Sequence, residues 1–160
     1  MNILVLCTGN SARSILFEVL LNSMTGDNIH AFSAGSKPVG TVNPHAITLL
    51  KNKGHDVSNL RSKSWDEFTK EGAPEIDIVI TVCGNAANEP CPIWLGAPIR
   101  IHWGFDDPAH IVDSHEATKA FEATYKAIEQ RISDFIALPL ETLNSQSLEK
   151  AMQALTKKEP

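Results

Sequence analysis

Short β-rich apolar runs alternate with longer stretches of helical period along this chain. Residues 2–6 are almost wholly apolar, the pattern of a strand buried on both faces. Residues 13–24 put Ile15, Leu16, Val19, Leu20 and Met24 on one side of a helix. A second strand is predicted over residues 29–32, followed by a turn-rich run from Ser33 to Pro38. Asn43-Pro44 joins a capping side chain to a first-turn proline, and the helix it starts runs through Ile47, Leu49 and Leu50 to Gly54. A short helix is expected over 64–68. Residues 76–82 form the strongest strand, and residues 99–103 a fourth. Asp113 with Glu116 reads as a capping box for a long helix with Ala117, Phe121, Tyr125, Ile128, Ile132 and Phe135 on its inner face, closed by Pro139. One more helix is predicted around 148–155.

Strands alternating with helices predict an α/β fold: a four-stranded parallel sheet with helices on both faces. One domain is expected over 1–138, with 139–160 as a C-terminal helical extension that packs on the domain or mediates a dimer. In such sheets ligands bind beyond the carboxyl ends of the strands. Cys7, Cys83 and Asp106-Asp107 each follow a predicted strand end, so the topology can gather them at one edge.

Composition narrows the partners. The chain has 160 residues, 42% hydrophobic and 21% charged, with a formal net charge of -5. That balance offers no basic field for nucleic acid or an anionic membrane. A small anion would have to be drawn by a local positive site. No apolar run approaches the roughly 20 residues of a membrane span, and no signal-type segment opens the chain, so a cytoplasmic location is expected. Cys7, Cys83 and Cys91 are the only cysteines. An odd count without an export signal argues against a static disulfide framework, and the missing Cys-x-x-Cys pairs and the scattered histidines argue against a metal site. The plainest account makes the three thiols small buried hydrophobes; their flanks decide otherwise.

The flank of Cys7 is CTGNSARS, residues 7–14. This loop leaves a strand and opens a helix, so its backbone N–H groups converge where an anion is favoured. Gly9 and Asn10 are residue types that tolerate left-handed backbone angles. Arg13 can offer a bidentate fork to oxyanion oxygens, and Ser14 can donate to the Cys7 sulfur. The same field would lower the Cys7 thiol pKa and make it a thiolate nucleophile. An ordinary turn would have Cys7 buried and Arg13 solvated on a first helical turn, where the dipole disfavours a cation. The loop also holds no apolar side chain to anchor it. An anion cradle built from Thr8, Gly9, Asn10, Ser11, Ala12, Arg13 and Ser14 around Cys7 is therefore the better reading.

CTGNSARS in this position resembles the signature loop of the low-molecular-weight tyrosine phosphatases and of the arsenate reductases that share their fold. Ser33-Ala34-Gly35 and Asp106-Asp107-Pro108, similar to that family's acid loop, extend the resemblance over about residues 1–138. It implies Cys7 as nucleophile, Arg13 as oxyanion ligand and Asp107, with Asp106 as the alternative, as the acid that protonates the leaving group. The phosphatases wall their cleft with aromatic residues, including tyrosines after the Asp-Pro. Here Ala109-His110-Ile111 follows, and the single tyrosine, Tyr125, lies on a helical core face.

TVCGNAANEPCPIW and HWGFDDPA are similar to the arsenate reductases rather than to the phosphatases. That likeness implies a relay: Cys83 attacks Cys7 to release arsenite, and Cys91 then carries the disulfide outward across the polar segment 84–90. It further implies a substrate of arsenate, with phosphate or sulfate as competing oxyanions, no tightly bound cofactor, and reduced thioredoxin or glutathione with glutaredoxin as electron donor. Two departures stand out: the outer cysteines are one residue further apart than in the thioredoxin-coupled members, and Ala12 replaces a loop cysteine. The rivals are a phosphatase using Cys7, Arg13 and Asp107 alone, and a redox-sensitive phosphate-binding module. Some of these reductases hold potassium with equivalents of Asn10, Glu18 and Ser33. Here the neighbouring segment reads Arg61-Ser62-Lys63-Ser64, so the Lys63 ammonium is expected to stand in for the cation. His102 is expected to pack beneath the acid loop.

Overall fold

The computed structural model describes residues 1–90, 92, 94 and 98–156. Four parallel strands form one sheet in the order β2-β1-β3-β4: β1 Asn2–Cys7, β2 His30–Gly35, β3 Ile78–Thr81 and β4 Ile99–His102. Five helices connect and cover them: α1 Arg13–Thr25, α2 Pro44–Asn52, α3 Gly84–Asn88, α4 Ser114–Ile136 and α5 Ser145–Thr156. Short 3-10 turns occupy Gly26–Asn28, Trp65–Phe68 and Pro108–His110.

Alternation along β1 divides the core. Ile3, Val5 and Cys7 face a large cluster built with α1, α4 and α5. Leu4 and Leu6 face a smaller one with Ala34, Phe68, Ile76, Val79 and Trp94. A strand flanked on both sides by others and packed on both faces must be apolar at every position, which is why residues 3–6 show no period. Helix α1 is likewise buried nearly all round: Phe17 and Leu21 join the stripe of Ile15, Leu16, Val19 and Leu20. Ring contacts of Trp103 with Phe17 and Phe135, both with centroids 6.0 Å apart, tie the end of β4 to α1 and α4.

Several boundaries depart from the sequence reading. Strand β2 continues through Ser33-Ala34-Gly35, where turn residues predicted a loop, because these three pair with Val5, Leu6 and Cys7. Gly35 is required there: a Cβ would lie 2.4 Å from the Thr8 carbonyl oxygen, so only glycine lets the loop after β1 pass so close. Within the polar segment that follows β3, residues Gly84–Asn88 form helix α3. His102 is exposed and bonds Thr81, with Nδ1 2.9 Å from Oγ1; the residue buried at the root of the acid loop is Trp103.

Helix α5 packs on the domain. Leu148, Met152 and Leu155 enter the main core, the Trp103 indole donates to the Met152 carbonyl at 3.2 Å, and the Thr156 hydroxyl donates to the His102 carbonyl at 3.4 Å. Asn43 and Asp113 cap α2 and α4 as predicted, accepting from the His45 and Glu116 amides. No helix among the described residues is long and apolar enough to cross a membrane.

Candidate active site

Strand order reverses beside β1, so the connections leaving β1 and β3 diverge and open a crevice at the carboxyl edge of the sheet. A cavity of about 460 Å³ occupies it, lined by Cys7 through Arg13, Val39, Cys83, Gly84, Asn85, Asp107 and Ala109. Every predicted site residue that lies among the described residues, Ser14 apart, thus borders one cavity. Asp106 is not on its wall; of the two candidate acids, Asp107 is the one that faces the loop. Cys91 lies outside the described residues.

The loop after β1 is shaped by pins on its carbonyl side. The amides of Lys37, Val39 and Asn43 donate to the carbonyls of Thr8, Gly9 and Ser11 at 3.0, 3.1 and 2.9 Å, and the Ser62 hydroxyl also donates to Gly9. With those carbonyls engaged from outside, the loop is fixed around the cavity, and a loop of this kind suits an anion. Asn10 takes the left-handed angle, with φ of 44°, while Gly9 does not. Its fully buried amide holds that conformation: Nδ2 donates to Ser14 Oγ and Ser33 Oγ, both at 2.9 Å, and Oδ1 accepts from the Lys63 amide at 2.8 Å. Ser14 thus braces Asn10 as a hydrogen-bond acceptor.

Behind Asn10 the network continues to a charged pair. The Ser33 hydroxyl donates to a Glu18 carboxylate oxygen, and Lys63 Nζ lies 3.6 Å from the same oxygen with its side chain 9% exposed. Burial pushes the Lys63 ammonium below the usual lysine range, and Glu18 works against that. The donor set that would bind a monovalent cation is thus engaged by protein: Asn10 Oδ1 by an amide, Glu18 by Ser33 and Lys63. These residues do not fit an added potassium ion.

Arg13 opens α1 with its side chain 11% exposed. Nη2 pairs with Asp107 Oδ2 at 2.8 Å, Nη1 donates to the Phe105 carbonyl at 2.9 Å, and Nε is buried without a hydrogen-bond partner. An unpartnered guanidinium N–H is costly unless a ligand completes it. Asp107 is positioned by its own capping bond, Oδ1 accepting from the Ala109 amide at 3.0 Å.

The two described cysteines are free thiols and line the same cavity. The sulfur of Cys83 caps α3, accepting from the Ala86 amide at 3.4 Å, and takes the Thr8 amide at 3.4 Å, with Thr8 Oγ1 at 3.6 Å. The neighbouring Cys7 thiol and these donors hold the Cys83 thiol down, at about 5, against its burial. Cys7 is raised: the Cys83 contact and burial outweigh the pull of Arg13 and of the Gly9 amide. The expected lowering of the Cys7 thiol is thus opposed by Cys83 and by burial, while Arg13 and the Gly9 amide favour its thiolate. The Phe105 carbonyl, Val39 and Asn85 also escaped sequence reading. A backbone carbonyl has no sequence signal, and Val39 and Asn85 carry none that marks a cleft.

Among the described residues no group of three His, Cys, Asp or Glu side chains is placed to hold a metal. The model of the low molecular weight phosphotyrosine protein phosphatase family matches residues 2–154. An arsenate reductase of Bacillus subtilis is 38% identical over 131 residues, covering 81% of this chain and 91% of that protein. One from Halalkalibacterium halodurans is 39% identical with the same coverage. Among solved structures, an arsenate reductase in the intermediate state superposes with a TM-score of 0.66 at 25% identity, covering 85% of this chain and 96% of the other. A low molecular weight protein tyrosine phosphatase from T. tengcongensis gives 0.66 at 24%, covering 85% and 97%, which speaks for the fold. The chain belongs to the low molecular weight phosphotyrosine protein phosphatase family.

Proposed function

We propose that this protein reduces arsenate to arsenite. The observation that carries the reading is the second thiol in the cradle: Cys83 lines the same cavity as Cys7 and accepts from the amide of Thr8, the residue next to it. Hydrolysis of a phosphate ester needs one thiol; reduction by two electrons needs two. The arsenate reductases among the relatives point the same way.

In this reading Arg13 and the loop amides bind arsenate, and the Cys7 sulfur attacks arsenic. The entering anion displaces the Asp107 carboxylate from Arg13, Asp107 takes up a proton from solvent, and an arsenic hydroxyl leaves as water with that proton. Cys83 then attacks the Cys7 sulfur, the S–As bond breaks, and its electron pair stays on arsenic, which leaves as arsenite. The product is a Cys7–Cys83 disulfide. Cys91 attacks Cys83 and returns Cys7 as a thiol, and an external dithiol reduces the Cys83–Cys91 bond. Reduced thioredoxin is the preferred donor, with glutathione and glutaredoxin the second choice. Assignment of Cys91 rests on its place in the sequence.

The test follows arsenate-dependent oxidation of NADPH through thioredoxin and its reductase, alongside hydrolysis of an aryl phosphate. Native protein is expected to consume NADPH over many turnovers, and Cys83→Ser to lose this. Good ester hydrolysis by native protein with no arsenate-dependent oxidation would show a phosphatase instead. Oxyanion binding without turnover of either kind would show a binding module.

A further inference from the structure

Phe105 ties the acid loop to the oxyanion site through its backbone. Its amide donates to the Val82 carbonyl at 3.2 Å, next to Cys83, and its carbonyl accepts from Arg13 Nη1 at 2.9 Å. Both bonds hold only while the Phe105 peptide keeps its place, yet the space beneath the loop is poorly filled. A cavity of about 860 Å³ separates residues 104–111 from α4, which faces it with Ala120, Ala123 and Ala127, side chains too short to fill it. The Phe105 ring has firmer neighbours. The Phe17 ring of α1 lies 5.8 Å from it, centroid to centroid, and the Arg131 guanidinium carbon of α4 lies 5.8 Å from its centroid. The same guanidinium stands 5.7 Å from the ring centroid of Trp103, at the root of the loop.

An arginine is a costly residue for that place. Arg131 is 7% exposed, on a stretch of α4 that otherwise gives Ile128, Ile132 and Phe135 to the core. An aliphatic side chain would fill the space without desolvating a charge. What the guanidinium adds is attraction to the faces of two rings from one planar group. We infer that Arg131 is a positioning residue for the oxyanion site: held over Phe105 and Trp103, it fixes the Phe105 carbonyl and, through it, the direction of the Arg13 fork. This deepens the reading of Arg13 as oxyanion ligand and rests on it. Arg131 does not border the cavity that holds the cysteines, so it acts across the loop and touches no substrate. Its effect is greatest once an anion has entered. The anion displaces Asp107, and of the bonds described for the guanidinium the one to Phe105 is then left to orient it.

Inorganic phosphate is the probe, its affinity measured by calorimetry on the reduced full chain and on variants whose denaturant midpoints show them folded. Arg131→Met keeps a long unbranched stem and loses the charge. Its phosphate Kd is expected to rise roughly 3- to 30-fold, the worth of a desolvated cation–π contact. Arg131→Lys keeps a cation and should recover part of the loss. Phe105→Leu keeps the carbonyl and removes the ring, so it should weaken binding to a similar degree. Arg131→Met added to Phe105→Leu should weaken it little further, because the two side chains act through one contact. An arginine that only supports the fold would lower the midpoint and leave the Kd of the folded protein unchanged.

Native phosphate affinity in folded Arg131→Met would overturn the inference, as would a lysine variant no better than the methionine one. Losses that simply multiply in the double variant would do the same. If Arg131→Met does not fold, Phe105→Leu reads the same contact, and native affinity there overturns the inference equally. Arg13→Ala separates this inference from the reading beneath it. Phosphate binding that depends on Arg13 but not on Arg131 sinks the positioning role alone. Binding that survives Arg13→Ala undiminished sinks the cradle reading and the positioning role with it.

Discussion

The Arg13 guanidinium and the Asp107 carboxylate meet at 2.8 Å across the mouth of the cradle, so the residue built to hold an oxyanion is occupied by the residue proposed to protonate it. An entering anion must compete with that carboxylate. Asp107→Asn removes the competing charge and the proton source together. Turnover is expected to fall by roughly 10²–10⁴, the usual worth of a general acid. Inorganic phosphate, as competing oxyanion, should bind several-fold more tightly to the variant. Calorimetric phosphate binding beside steady-state rates checks both halves, and a parallel loss of affinity would contradict the competition.

Lys63 and Glu18 form a largely buried pair behind Asn10. Removing the ammonium in Lys63→Met leaves a carboxylate with no counter-charge in low dielectric, which costs on the order of 3 kcal/mol. Denaturant midpoints measure it. The native protein, carrying its own cation there, should be equally active in potassium and sodium at equal ionic strength. Strong potassium dependence would overturn this account of Lys63.

Gly35→Ala should disable the cradle from the opposite side of the sheet. The added methyl would stand 2.4 Å from the Thr8 carbonyl oxygen and 3.0 Å from Asn10 Cβ. The loop must move, at a cost of about 1–3 kcal/mol for the overpacking. Phosphate affinity should fall well beyond what that loss of stability explains, because the amides shift off their common centre.

The cysteine pair gives stability a bell-shaped pH dependence. Cys83 is depressed to about 5, so its contribution is complete above the unfolded thiol value of about 8.5 and is lost as pH falls through about 5. Cys7 is raised, so its contribution is complete below that unfolded value and is lost as pH climbs past it. The reduced native protein should exceed the double variant Cys7→Ala, Cys83→Ala by most near pH 8.5, a value of about the free thiol's own pKa. Urea midpoints of both proteins across the pH range measure the difference; a monotonic curve would refute it.

Much of this was legible in the chain because burial leaves a strong imprint on residue type. Ile3 to Leu6 could only be a central strand, and the Asn43-Pro44 and Asp113–Glu116 signatures located helix starts that the structure keeps. The cradle was legible for a related reason, since Gly9, Asn10 and Arg13 break the apolar pattern at a strand end. What escaped depends on contacts between distant segments. Ser33 to Gly35 look like a turn until they are paired with β1, and no local pattern announces a helix in Gly84–Asn88, whose cap is a sulfur. The surroundings of the Cys7 sulfur were likewise hidden from its loop alone. Asp107, which pairs with Arg13, and Cys83, which shares the cavity, lie 100 and 76 positions further along.

Helix α5 lies along β4, the last strand of the sheet, and its Thr156 hydroxyl satisfies a carbonyl of that strand at His102. An uncovered parallel edge is a template on which another copy's strand can grow. The chain's own tail thus guards this margin of the sheet, so protein shortened before Ser145 should become prone to fibrous or amorphous self-association before it loses its chemistry.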